Sequence, residues 1–277
     1  AAVYDSAGVL HAAFGGDHLY YARCENGNCT VETVDPADYV GMFASLALDS
    51  QGHPHIAYYD VGQSDFCNDE KVKYANWDGS QWSIQVVDEG CLGLYPSIAL
   101  DDQGIAHISY YDEVSDNLQL ADQEGDLWNA YTPYWLPNFV SSGYHSALLA
   151  DAEGDLHLVF TANDGSGNTL WYNQKTNGSW GTLMEIDAQA DVSTFALTLD
   201  NSGNPHLAYN AGSPSTGYKL RYTHFDGSTW LAAVEVADMD YLGWNSLAIG
   251  TDGYPHIAYK VSGAVAFVTK NAAGWQP

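Results

Sequence analysis

Two segments of the chain set carboxylates directly after tyrosines: Tyr59-Asp60 and Tyr111-Asp112-Glu113. A carboxylate pair beside aromatic rings suits three kinds of chemistry. It can act as acid and base across a glycosidic bond, accept hydrogen bonds from sugar hydroxyls beneath a stacked ring, or ligate calcium. The acid/base candidates are Asp60, Asp112, Glu113 and His145, a histidine outside any repeat. The candidate ligand-binding rings are Tyr59, Tyr95, Tyr111, Tyr134, Trp135, Tyr144 and Trp244. Asp60, Asp65, Asp69 and Asp112 form the candidate calcium set, although no segment has the spacing of an EF-hand loop. The plainer reading is that these carboxylates cap strand ends and face water. Lys260 occupies the repeat position of Tyr59 and Tyr111, where it is expected to pair with a nearby carboxylate.

The elements that position these residues come from a repeat. Asp-x-x-Gly followed by a strand-opening histidine occurs in VYDSAGVLHAAF, ALDSQGHPHIAYYD, ALDDQGIAHISYYD, LADAEGDLHLVF and TLDNSGNPHLAY, and with Gly for Asp in AIGTDGYPHIAY. The histidines are His11, His55, His107, His157, His206 and His256, a period of roughly 50 residues. Each copy carries two further segments with alternating polarity, joined by turns such as Asp78-Gly79-Ser80 and Asp226-Gly227-Ser228. No stretch shows helical periodicity. Four short antiparallel strands per copy predict an all-β, six-bladed β-propeller in a single domain. The blades fall near 1–34, 45–88, 97–134, 147–188, 196–238 and 246–277.

The repeated residues are expected to build scaffold. Each histidine should make the same structural hydrogen bond to a neighbouring strand or turn, with a metal ring as the alternative. In a four-residue hairpin turn, His55 shares a face with Leu46, Leu48 and Ala57. The repeated aspartates (Asp5, Asp49, Asp101, Asp151 and Asp200) should open turns that the following glycine closes. Trp82, Trp128, Trp180, Trp230 and Trp275 should act as apolar wedges at the blade periphery. Function is expected where copies differ, in the loops 35–44, 88–97, 132–146, 187–196 and 237–246 and in the insertion 60–70.

The Asp-x-x-Gly-x-x-His motif and the Asp-Gly-Ser-x-Trp motif, at Asp78 to Trp82 and Asp226 to Trp230, resemble the repeats of bacterial secreted propellers of the BNR/Asp-box-like, sialidase-related type. The first motif runs through the whole chain. The second is degraded to Asn177-Gly178-Ser179-Trp180 in the fourth copy, to Glu124-Gly125-Asp126-Leu127-Trp128 in the third and to Gly274-Trp275 in the sixth. The resemblance implies a secreted propeller. Sialidase chemistry requires an arginine triad, and the arginines here are Arg23 and Arg221 alone. Fucose-binding six-bladed lectins likewise imply arginine contacts that this chain lacks.

Charge narrows the partners further. The chain has 277 residues with 35 Asp+Glu against 8 Lys+Arg, a net charge of −27. Nucleic acid and anionic membranes need clustered cations, so neither is expected as a partner, and no apolar run is long enough for membrane insertion. Four cysteines fit two bridges, Cys24–Cys29 across a hairpin turn and Cys67–Cys91 between loops at one end of a blade. Disulfides imply a secreted or extracellular setting, the periplasm included. The start at Ala1 and the short last blade fit a processed segment or part of a larger chain. The expected function is a secreted binding module for a neutral carbohydrate, another hydroxyl-rich ligand or a cell-surface ligand. The alternatives are a glycoside hydrolase and a scaffold or adhesion domain; calcium is the one cofactor considered.

Overall fold

The computed structural model describes residues 1–63, 69–134, 139–187, 192–213, 215–240 and 243–276. The described residues contain β-strands and turns and no α-helix. Sheet one contains β1 (Ala2–Tyr4), β2 (Leu10–Gly15), β3 (Leu19–Glu25) and β4 (Asn28–Asp35). Sheet two contains β5 (Val40–Leu48), β6 (Pro54–Asp60), β7 (Glu70–Trp77) and β8 (Trp82–Gly90). Sheet three contains β9 (Leu92–Leu100), β10 (Ala106–Asp112), β11 (Asn117–Glu124) and β12 (Leu127–Tyr131). In sheet four, β13 (Ser141–Ala150), β14 (Leu156–Asn163) and β15 (Asn168–Thr176) are followed by β16 (Ser179–Trp180) and β17 (Met184–Asp187), which both pair with β15. Sheet five contains β18 (Val192–Leu199), β19 (Pro205–Ser213), β20 (Gly217–His224) and β21 (Val234–Met239). Sheet six contains β22 (Asn245–Ile249), β23 (Pro255–Val261), β24 (Ala264–Asn271) and β25 (Gly274–Gln276). Every pairing described is antiparallel, and the chain forms two compact units, Ala1–Leu156 and His157–Pro277.

The repeated aspartate builds the turn between first and second strands. Asp49 Oδ1 accepts the N–H groups of Gln51 and His53, both at 2.8 Å, while Gly52 N–H donates to the Asp49 carbonyl with φ at +80°. Asp5, Asp101, Asp151 and Asp200 accept the same pair of bonds. This turn corrects one expectation. Leu48 pairs with Pro54 and Ala47 with His55, so five residues lie in the turn and His55 shares its face with Ala47 and Ala57, not with Leu46 or Leu48. One residue of slip inverts every side chain. Leu46 instead packs with Ile56 and Tyr58 against Ala13 and Tyr21 of sheet one.

All six repeat histidines lie on second strands, and each has a polar partner on the third strand of its own sheet. The partners are not identical. Tyr21, Tyr74, Tyr172 and Tyr222 place their hydroxyls 2.5 to 2.9 Å from Nδ1 of His11, His55, His157 and His206. In sheet three the tyrosine position holds Leu120, and Asp122, directly opposite His107, takes over at 2.6 Å. In sheet six it holds Phe267, and Thr269, opposite His256, supplies the hydroxyl at 3.0 Å. The tyrosine rings have a second use. Tyr21, Tyr74, Tyr172 and Tyr222 meet Trp82, Trp128, Trp230 and Trp275 of the following sheet edge-on, with centroids 5.1 to 5.3 Å apart. These tryptophans therefore join neighbouring sheets. Such pairs add about 0.5–1.5 kcal/mol each beyond area burial.

Cys24 and Cys29 form a disulfide across the β3–β4 turn. Cys91 is also disulfide-bonded. Cys67, the partner expected from the sequence, lies outside the described residues.

Candidate functional site

The segments 35–44, 88–97 and 132–146, expected to be loops, are partly strand. β5 begins at Val40, β9 at Leu92 and β13 at Ser141, each five or six residues earlier than the expected blade boundary. The reason is a glycine in each strand. Gly41, Gly93 and Gly143 have φ of +91°, +107° and +82°, and each lies against the first residues of the preceding sheet's third strand. A Cβ on Gly93 would lie 3.1 Å from the Val72 nitrogen, and one on Gly143 only 2.6 Å from Leu118 Cα. The strand bends through this crossing and continues. Two residues after Gly41 and Gly93 stand Phe43 and Tyr95, themselves at φ +54° and +53°. Bulky residues in the left-handed region are uncommon outliers, and such strain concentrates at functional sites.

The bends gather rings. Phe43 and Tyr95 have centroids 4.4 Å apart, Tyr95 and Tyr144 5.2 Å, and Tyr95 and His145 5.1 Å. Tyr111 meets Tyr144 edge-on at 5.3 Å, and Tyr59 lies 6.1 Å from Phe43. Tyr59 and Tyr111 are buried, whereas Phe43 and Tyr144 are 38% and 45% exposed, so the cluster is a platform with a buried base and an open rim. The Tyr95 and Tyr144 hydroxyls are 3.3 Å apart.

Carboxylates surround the rings. Asp116 accepts the Tyr111 hydroxyl at 2.6 Å, and Glu70 accepts that of Tyr59. Burial, with help from Glu113 and Asp69, holds the Glu70 carboxyl above the usual range against the Tyr59 bond; its Oε2 is buried without a hydrogen-bond partner. Glu113 is exposed, and its N–H donates to the Cys91 carbonyl at 3.1 Å. Burial first, then the Tyr144 hydroxyl and the charges of its neighbours, Glu113 included, push Tyr95 up to about 12. Tyr59 and Tyr111 are also raised, chiefly by burial and by their carboxylate partners. Burial lowers His145, so its imidazole is neutral at neutral pH.

Among solved structures, the chain is similar to a polysaccharide lyase, an ulvan lyase bound to -[GlcA(1-4)Rha3S]-, with TM-score 0.68 and 12% identity over 97% of this chain and 79% of that one. It is similar to SapL1 lectin in complex with alpha methyl fucoside, with TM-score 0.61 and 18% identity over 100% of this chain and 93% of that one. Aleuria aurantia lectin in complex with Fucalpha1-6GlcNAc matches with TM-score 0.57 and 15% identity over 99% of this chain and 92% of that one. No protein-family model and no curated protein matches the chain. The fold is a six-bladed β-propeller, and the six sheets are its blades.

Blades two to four therefore bring Tyr59, Tyr95, Tyr111, Tyr144, His145 and Glu113 of the expected set to one place. Phe43, Glu70 and Asp116 belong there too and were not anticipated. A readable signal was present: Gly41-Met42-Phe43, Gly93-Leu94-Tyr95 and Gly143-Tyr144-His145 occupy one repeat position. Asp60 does not join as expected. It is buried and lies 3.0 Å from Lys73 Nζ, which also contacts Asp35 at 3.0 Å, where Tyr58 donates its hydroxyl. Burial pulls the Lys73 ammonium down, but the two carboxylates outweigh it and leave it raised. Asp112 accepts the Val114 and Ser115 N–H groups and the Ser115 hydroxyl, closing its own turn. Asp69 accepts Gln63 N–H, and Asp65 lies outside the described residues. Among the described residues no three His, Cys, Asp or Glu side chains group as a metal site. Tyr134 is half-buried after β12, and Trp135 lies outside the described residues. Trp244 belongs to the second unit, where Lys260 N–H donates to its carbonyl.

Proposed function

We propose that this chain is a secreted carbohydrate-binding module whose site is the ring platform of Phe43, Tyr95 and Tyr144 with Tyr59 and Tyr111 at its base. The observation that carries this reading is the left-handed backbone of Phe43 and Tyr95, which turns two aromatic rings toward each other at one repeat position. Exposed rings offer the apolar face of a pyranose a stacking surface, and the tyrosine hydroxyls and carboxylates beside them match sugar hydroxyls. The net charge of −27 disfavours sulfated, sialylated or uronate-rich ligands. Lectin and polysaccharide-enzyme neighbours of the same fold support carbohydrate as the ligand class. The disulfides support an oxidising, extracellular setting, and the repeat motifs support kinship with secreted BNR/Asp-box-like propellers.

A second reading, glycoside hydrolysis, draws on the contrast between Glu70, a buried carboxyl held above its usual range, and the exposed Glu113. One experiment separates the two. The purified protein is screened on a glycan array, and its best ligand is then titrated and assayed for new reducing ends. Saturable binding without turnover, weakened at least about tenfold by Tyr144→Ala or Tyr95→Ala, supports the module. Turnover lost in Glu113→Gln with binding retained selects the hydrolase. An array without signal removes both.

A further inference from the structure

The ring platform carries information about charge that the carbohydrate reading leaves unused. The cations of the first unit are Arg23, Lys71 and Lys73, and each is engaged elsewhere. Arg23 donates to Glu25 at 2.8 Å, Lys71 donates to the Asp69 carbonyl at 2.9 Å, and Lys73 sits between Asp35 and Asp60. Burial lowers the half-buried His145 from its ordinary value, which disfavours its charged form. Against the rings stand Glu70, Glu113 and Asp116, and among the described residues no side-chain cation is paired with Glu113 or Asp116. Glu113 follows Tyr111 by two residues, and its N–H donates to Cys91, just ahead of the strand that carries Tyr95, so the exposed carboxylate stands beside the cluster, where its charge helps raise Tyr59, Tyr95, Tyr111 and Glu70. The Glu70 Oε2 atom, buried without a hydrogen-bond partner, is an acceptor lacking a donor at the same place.

Aromatic faces and carboxylates share one preference. The ring quadrupole attracts a cation held over its face, most strongly where water is excluded, and a carboxylate forms a charge-assisted hydrogen bond to an ammonium. A hydroxyl-rich ligand with no charge would satisfy the hydrogen bonding and leave the negative field uncompensated. An ammonium group on the sugar ring meets both demands. We propose that the platform of Phe43, Tyr95 and Tyr144 selects a cationic amino sugar, a glycan bearing free protonated amines, with Glu113 as the carboxylate that receives the ammonium.

The inference rests on the carbohydrate reading and is tested so that the two can fail separately. The probes are a glucosamine tetrasaccharide and its fully N-acetylated counterpart, titrated calorimetrically against the whole chain at about pH 6 and low salt. The amine-bearing ligand is expected to bind at least about tenfold more tightly, the scale of one favourable cation contact. Glu113→Gln, an exposed and near-isosteric change, is expected to erase most of that preference by weakening the amine-bearing ligand far more than the N-acetylated one. Equal or tighter binding of the N-acetylated ligand overturns the amine preference and leaves the carbohydrate reading standing. A preference that survives in Glu113→Gln overturns the assignment to Glu113. Failure of both oligosaccharides to bind, where the array has found another glycan ligand, also overturns the amine preference; failure with an empty array removes the carbohydrate reading itself.

Discussion

Four repeat histidines, His11, His55, His107 and His206, are buried between the aspartate of their turn and a hydroxyl or carboxylate on the next strand. For His206, Nε2 faces Asp200 at 3.5 Å and Nδ1 faces the Tyr222 hydroxyl at 2.6 Å. A carboxylate only accepts, so Nε2 carries the proton and Nδ1 accepts from the phenol. Removing the phenol leaves a buried acceptor unpaired. Tyr74→Phe should therefore lower stability by about 1–3 kcal/mol, visible as a drop in the denaturation midpoint. The chain's own variation supplies the rescue. Blade six holds phenylalanine at this position and serves its histidine from Thr269, opposite His256, and the residue opposite His55 is Asn76. Adding Asn76→Thr to Tyr74→Phe should recover part of the loss; no recovery would show that the hydroxyl is not what His55 needs. The six histidines were legible in the sequence as one repeated set, because repetition is visible in one dimension. It could not show that Leu120 and Phe267 break the pattern, since that needs the register of the third strand.

At the scale of the strand, the most consequential residues are glycines. β5, β9 and β13 cross the preceding blade's third strand so closely that only a residue without Cβ fits at the crossing. Gly143→Ala faces two penalties, a left-handed φ of +82° and contact with Leu118 at 2.5 Å. Gly125→Ala faces only the first, with φ +64° and open space around it. The strain alone costs about 1–3 kcal/mol, and an overpacked contact adds a comparable amount. Thermal melts should rank Gly143→Ala well below Gly125→Ala. Only the former should also weaken glycan binding, because it displaces Tyr144 and His145. Equal losses in the two variants would reject the crossing as the reason for the glycine. The same glycines explain why the site was only half legible. Strand periodicity fails where the backbone turns left-handed, so these segments read as loops and Phe43 went unnoticed. Asp60 looked like an open carboxylate because a half-buried Lys73 contributed by the neighbouring strand leaves no mark in local sequence.

For the whole molecule, the net charge of −27 and the buried pairs respond to different variables. The few cations are spent on particular carboxylates: Lys73 on Asp35 and Asp60, and Arg221 on Asp187 at 3.1 Å, where Tyr209 also donates its hydroxyl. The remaining carboxylates repel one another over a Debye length of about 30 Å at 0.01 M salt and about 8 Å at 0.15 M. At pH 7, adding sodium chloride should therefore raise the melting temperature, and the gain should shrink toward the isoelectric point near 4.2. Acidification at high salt acts through the ties instead. Burial lowers the His55 and His206 imidazoles from their ordinary value of 6.5, and hydrogen bonds hold Asp35, Asp49 and Asp200 below 3.8 despite burial. In both classes the folded state binds protons less readily than the unfolded chain. The stabilisation is thus present above the ordinary value and lost as pH falls through the folded one. The histidines respond first, so at high salt the melting temperature should fall between pH 7 and pH 5 even as the net charge shrinks. Tyr74→Phe moves only the His55 tie and should alter that slope. A melting temperature that rises steadily from pH 7 to pH 5 at high salt would mean that self-repulsion, and not the buried histidine ties, governs the stability of this propeller.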